Sequence, residues 1–186
     1  GSSSVSEGVG TVSVTASLIS NTFYSSRRDM NTDAVSANAT NALGYVYLGE
    51  YGGHKYYLKD DASNNSVAKA DALAKGGYLV TLETEAEETW IKDKLSGSNA
   101  NFDQRFWIGL NYVLSDSGDA FKWINGSTYS ATNDDGDSRW YTSSYPGDTA
   151  NKEAKQGVSM DIDWSGWVNY QETDNMNGYI IEFDNS

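Results

Sequence analysis

The chain has 186 residues, 38% of them hydrophobic, with 13 Lys and Arg against 26 Asp and Glu and a net charge of -13. That length buries one good core. The acidic surface repels phosphate backbones and anionic membranes, which excludes nucleic acid and membrane insertion as partner classes and favours cations. With no Cys in the chain, disulfides and thiolate metal sites are excluded, and no apolar run approaches the roughly 20 residues that span a bilayer.

Residues 1–43 are rich in Ser, Thr, Asn and Ala. Their one alternating run, Thr11 to Ile19, reads as a strand in a lead-in from a neighbouring module. The opening Gly1-Ser2-Ser3-Ser4 reads as linker and no signal peptide is seen, so the chain is expected to be a piece of a larger secreted protein. A domain over 44–186 follows. Tyr45 to Leu48 and His54 to Leu58, joined through Gly52-Gly53, form a hairpin pattern. From Ser66 to Lys75 the period becomes helical, with Val67, Ala70, Leu73 and Ala74 as the apolar face and Gly76-Gly77 as the stop. Tyr78 to Leu82 reads as strand. Thr84 with Glu87 forms a capping box for a second helix, whose stripe is Trp90, Ile91 and Leu95.

The strand Phe106-Trp107-Ile108-Gly109-Leu110 is followed by a tract dense in Asp, Asn, Gly and aromatics, from Ser115 to Gly166. A loop region of that length inside a compact domain is commonly functional. Residues 111–186 hold 13 Asp and Glu against 4 Lys and Arg, so cations collect in this half. The run Asn133-Asp134-Asp135-Gly136-Asp137 offers alternating oxygen donors around a tight turn, as a calcium loop requires; a solvated acidic turn is the equal alternative. Asp148, Asn151 and Glu153 form a second cluster, and Asp161 and Asp163 share one side of a strand pattern. Unneutralised carboxylates at this density repel one another, which favours at least one bound Ca²⁺. Arg139, Trp140, Tyr141 and Tyr145 stand between the clusters as a candidate binding platform, although packing of the loop is the commoner role for any single Trp here. Trp107, Trp123 and Trp167 are expected in the core.

In order and spacing, these pieces resemble a C-type lectin-like domain over about residues 45–184. The carriers are Ser66 to Leu82, Thr84 to Leu95, the Trp107-Ile108-Gly109-Leu110 strand, Trp123-Ile124-Asn125-Gly126, Trp167-Val168-Asn169 and the closing Gly178 to Phe183. The resemblance implies an α+β C-type lectin-like fold, with two short helices packed on antiparallel sheets and a long calcium-binding loop region. It also implies that Asn169 approaches Asp148, making a metal set of Asp134, Asp137, Asp148, Asn151, Glu153 and Asn169. Asn169 and Tyr170 then join Arg139, Trp140, Tyr141 and Tyr145 as ligand-binding candidates. The chain departs from the family's sugar-binding pattern, since Asp148-Thr149-Ala150 follows Pro146-Gly147 and Val168-Asn169 replaces Asn-Asp.

The expected function is calcium-dependent recognition of a peptide or protein, with a carbohydrate or a purely structural spacer role as alternatives. The setting expected is a monomeric module of a bacterial surface adhesin, extracellular, because Cys-free domains with a Gly-x-Ile-Ile-Glu-Phe ending resemble those of repeat-rich (RTX-type) adhesins. No enzyme is expected. The single histidine, His54, lies in the hairpin pattern far from the acidic tract, and paired carboxylates such as Asp161 and Asp163 are more often ligands than a glycosidase pair.

Overall fold

The computed structural model describes residues 44–97, 104–129, 139–141, 154, 156–162 and 166–185. The expected strand at Thr11 to Ile19 lies outside them. Strands β1 (Tyr45–Tyr51) and β2 (His54–Lys59) are joined by Gly52-Gly53, both at positive φ, 58° and 87°; a two-residue turn of that kind matches the twist of a hairpin. Next come β3 (Ser63–Asn64), α1 (Asn65–Ala74), β4 (Tyr78–Leu79) and α2 (Glu85–Gly97). The remaining strands are β5 (Arg105–Val113), β6 (Ala120–Trp123), β7 (Gly157–Asp161), β8 (Val168–Tyr170), β9 (Asn175–Met176) and β10 (Gly178–Asp184). The main sheet runs β1-β2-β10-β5-β7-β8, with β4 on β10 and β6 on β5, and β3 pairs with β9 separately. All pairings are antiparallel except β5 with β10, where Gly178 faces Phe106 and Tyr179 faces Trp107.

Both faces of the central strands are buried, which explains why β5 and β10 read as continuous rather than alternating apolar runs. On one face Tyr56, Leu58, Phe106, Ile108, Leu110 and Ile180 pack under Ile91 and Leu95 of α2. On the other, Tyr57, Trp107, Tyr179, Ile181 and Phe183 pack under Ala68 and Ala72 of α1. Gly109 lies where the β4 exit crosses β5. Its N–H donates to the Val80 carbonyl at 2.7 Å, and a Cβ there would collide with the Leu79 carbonyl oxygen.

Two sequence expectations are corrected. The apolar face assigned to the first helix points away from the domain: Val67 is 53% and Leu73 72% exposed, while Asn65, Ala68 and Ala72 are buried. Small side chains let α1 lie close on the crowded sheet, and the bulkier ones are left outside. The strand expected at Tyr78 to Leu82 is confined to Tyr78 and Leu79, because the Thr81 N–H leaves the ladder to donate to Glu182 Oε2 at 2.8 Å.

Candidate functional site

The long tract is rooted where its described residues meet the β7–β8 end of the sheet. Trp140 bridges Trp167 in parallel; the Trp167 N–H donates to the Arg139 carbonyl at 2.7 Å, and the Tyr141 N–H to the Trp167 carbonyl at 3.0 Å. Gly166, at φ 80°, makes this approach possible, since a Cβ there would lie 2.6 Å from the Arg139 oxygen. Beneath the bridge, Phe121, Trp123, Tyr129, Trp140 and Trp167 form a ring cluster at centroid distances of 5.1 to 6.5 Å. Edge-to-face contacts of this kind give the loop root its own rigid core.

That packing places three of the platform candidates, Arg139, Trp140 and Tyr141. Trp140 is 4% exposed and its indole N–H donates to the Tyr129 hydroxyl at 2.7 Å, so its ring is core. The Arg139 side chain is largely enclosed too, 10% exposed. Its guanidinium lies 4.3 Å from the Trp167 ring centroid, donates to the Leu82 carbonyl at 2.6 Å and stands 3.8 Å from Glu88. Glu88, buried in α2, also accepts from the Trp167 indole N–H at 3.2 Å and pairs with Lys92 at 3.0 Å. Arg139 thus clamps the loop root to α2. Tyr141, 42% exposed, is the described member of the platform that reaches solvent.

Asn169 and Tyr170 are successive on β8 and point to opposite faces. Asn169 is buried on the side of Trp167, opposite Val158 in the register. The Tyr170 hydroxyl accepts from Arg105, and both line a cleft of about 560 Å³ with Asp174, Asn175, Met176 and Asn177. The two residues therefore do not share one platform. Asp161 lies buried 3.7 Å from the Arg105 guanidinium. The candidates Asp134, Asp137, Asp148, Asn151, Glu153 and Tyr145, and Asp163 beside Asp161, lie outside the described residues.

The structure also assembles a constellation that the sequence reading passed over. A pocket of about 300 Å³ is lined by Tyr51, Gly52, His54, Tyr56, Thr81, Glu83, Thr84, Glu87 and Glu182. Glu182 sits 1% exposed in the middle of β10. One of its oxygens, Oε2, accepts from both the Thr81 N–H and hydroxyl, while Oε1 faces His54 Nδ1 at 2.5 Å. Glu87 accepts from the Tyr56 hydroxyl at 2.6 Å and the Glu83 N–H at 3.2 Å. Burial pushes the carboxyls of Glu87 and Glu182 above the usual range, against the hydrogen bonds that favour the charged forms. The available signal was the charged Glu182 within the apolar closing strand, which a continuous buried run tolerates only with a partner.

Comparison with known proteins agrees with this architecture. The family described as Lectin C-type domain matches residues 63–181. The killer cell lectin-like receptor subfamily B member 1B allele C of Rattus norvegicus is 32% identical over 73 residues, 39% of this chain and 30% of the receptor. Halomucin of Haloquadratum walsbyi is 28% identical over 144 residues, 72% of this chain and 1% of that protein. The chain thus spans under a third of either relative's length. Among solved structures, the cow C-type carbohydrate-recognition domain of CD23, determined in the presence of a GlcNAc2Man3 oligosaccharide, superposes with a TM-score of 0.55 at 19% identity, covering 77% of this chain and 95% of that one. Domains of this kind are generally non-enzymatic binding modules, typically bind Ca²⁺ and are generally extracellular or surface-exposed. With the two-helix, two-faced sheet and a family match over most of the domain, the chain belongs to the C-type lectin domain family.

Proposed function

We propose that residues 44–186 form a calcium-dependent ligand-binding module, preceded by 1–43 as a lead-in, that recognises a peptide or protein through the long-loop surface of a bacterial cell-surface adhesin. The observation that carries this reading is the anchored root of the loop tract, where Trp140 and Arg139 are packed into the scaffold and Tyr141 stays exposed beside them. A rigid base under an acidic tract suits a binding surface, because side chains held by packing lose little freedom on contact. Asp134, Asp137, Asp148, Asn151 and Glu153, with Asn169 from β8, would supply oxygen ligands of the type Ca²⁺ takes. Bound calcium would hold the tract in one conformation and offer open coordination positions to a ligand carboxylate.

A second reading is a carbohydrate ligand, favoured by the likeness to a domain solved with an oligosaccharide. Against it stand Thr149-Ala150 after Asp148 and Val168 before Asn169, which remove amide and carboxylate oxygens that would both hold the metal and meet sugar hydroxyls. A spacer role would need no ligand at all.

A glycan array and a peptide library, each run with Ca²⁺ and then with chelator, test these readings. Retention of peptides that is lost on chelation is expected. Retention of glycans instead would establish the carbohydrate reading, and retention indifferent to chelator would sink the calcium dependence. Calcium should also raise the melting temperature by mass action, and Asp134→Ala with Asp137→Ala should reduce that rise.

A further inference from the structure

We propose that the cleft between the start of β5 and the turn after β8 is a subsite for a neutral saccharide, held by direct hydrogen bonds and independent of calcium and of the long-loop reading above. The cleft, about 560 Å³, is lined by Arg105, Tyr170, Asp174, Asn175, Met176 and Asn177, a volume within the usual range for a small-ligand site. It opens on the α1 side of the sheet, where Tyr170 and Met176 pack with Trp107 and Tyr179, whereas the ring cluster that roots the long tract lies on the α2 side. Its wall is built in advance. Asp174 and Gln171 close a turn by exchanging hydrogen bonds, from the Asp174 N–H to the Gln171 carbonyl at 3.0 Å and from the Gln171 N–H to Asp174 Oδ2 at 3.1 Å. Asn177 is fixed to β5 in the same reciprocal way: its Oδ1 accepts from the Arg105 N–H at 3.0 Å, and its own N–H donates to the Arg105 carbonyl at 2.9 Å. From α1, the Asn65 N–H donates to the Glu172 carbonyl at 3.0 Å and Lys69 to the Glu172 carboxylate at 2.6 Å. Side chains carried on so braced a turn lose little freedom when a ligand arrives.

The groups left over define the ligand. Arg105 is already paired, since its Nε lies 3.7 Å from the buried Asp161 carboxylate and its Nη1 donates to the Tyr170 hydroxyl. The cleft therefore offers no uncompensated positive charge. With Asp174 as the acid among the described lining residues and a net charge of -13 on the chain, an anionic ligand is repelled. What remains for a ligand is Nη2 of Arg105, Oδ1 of Asp174, Nδ2 of Asn177 and the Asn175 amide, none of which bonds to another described residue. This is a mixed set: a guanidinium that only donates, a carboxylate that only accepts, and two amides that can do both. Neighbouring hydroxyls of a sugar ring each donate and accept, so they are its complement. The Tyr170 ring and Met176 supply the apolar contact that suits the C–H face of a pyranose. In the carbohydrate reading above the hydroxyls meet a metal ion; here they meet side chains alone.

The test uses the full chain with isotope-labelled methionine methyl groups, held in chelator and titrated with the methyl glycosides of glucose, galactose, mannose, fucose and N-acetylglucosamine. Met176, one of three methionines in the chain, reports on the cleft. At least one glycoside should move its methyl resonance at millimolar concentration without calcium. Asn177→Asp keeps the acceptor for the Arg105 N–H and removes the amide donor, and Asp174→Asn keeps the acceptor for the Gln171 N–H and removes the charge. Each should weaken the response about tenfold, while Asp134→Ala with Asp137→Ala should leave it unchanged. Circular dichroism checks that every variant folds. A Met176 signal unmoved by the whole panel, moved equally in the wild type and both cleft variants, or moved by a peptide library and by no glycoside would overturn the subsite. Movement that requires Ca²⁺ and disappears in the Asp134 and Asp137 variant would also overturn it, in favour of a sugar on the long loop. Because the titration is run in chelator, its failure and the failure of calcium-dependent peptide binding are separate results.

Discussion

Arg139 shows how far a side chain's chemistry can mislead when its surroundings are unknown. In the sequence it stands beside Trp140 and Tyr141 amid acidic clusters, a position that suggests ligand contact. In the fold its guanidinium is spent on the Leu82 carbonyl, the Trp167 ring and Glu88, and Trp140 is equally enclosed. The groups Arg139 meets are supplied by Leu82, Glu88 and Trp167, far along the chain, so no local pattern could reveal them. Replacing Arg139 by Ala strands a buried carbonyl and part of the charge on Glu88, which Lys92 still offsets. The expected loss is about 2 kcal/mol of stability, read as a lower denaturation midpoint at unchanged slope. Were Arg139 instead a ligand contact, the variant would lose binding at full stability.

At the scale of elements, some strands were legible and others not, since β6 and β7 lie inside the tract from Ser115 to Gly166 that reads as loop, and the helix faces were only partly so. The Gly52-Gly53 hairpin, β5 and β10 are marked by turn residues and dense apolar runs, signals carried within each segment. In α1 the period was right and the face inverted, because Val67, Ala70, Leu73 and Ala74 outweigh Asn65, Ala68 and Ala72 in hydrophobicity although the latter are the ones that fit against the sheet. Leu73→Asp should therefore change stability by less than about 0.5 kcal/mol, whereas Ala72→Leu should cost about 1–3 kcal/mol by overpacking; thermal melts of the pair compare the two faces directly. The same helix joins β1 to β10 through Asp71, whose Oδ2 accepts from the hydroxyls of Tyr45 and Tyr179 at 2.5 Å each. Burial first, then the Asp71 carboxylate, pushes both phenols above their ordinary value. A raised folded-state pKa makes this contribution complete below about pH 10 and diminishing as pH rises beyond it. Alkaline titration should show tyrosinate absorbance and unfolding rising together, and Asp71→Asn should flatten that dependence.

For the whole molecule, the order of segments was enough to indicate the family, because a sheet buried on both faces leaves a characteristic succession of helix, glycine stop and apolar strand. The acidic pocket was not legible, since Thr81, Glu87 and His54 meet Glu182 only after β10 has inserted between β2 and β5. That insertion has a mechanical consequence. Strands β1 and β10 both run antiparallel to β2, with Tyr45 and Tyr179 facing Lys59 at one end and Tyr51 and Asp184 facing His54 at the other. A pull applied at Tyr45 and Asp184 is therefore directed along the strands in opposite senses. The hydrogen bonds of both ladders, lying across the strands, are loaded together in shear rather than opened one at a time. Tension applied between these two points meets both ladders at once.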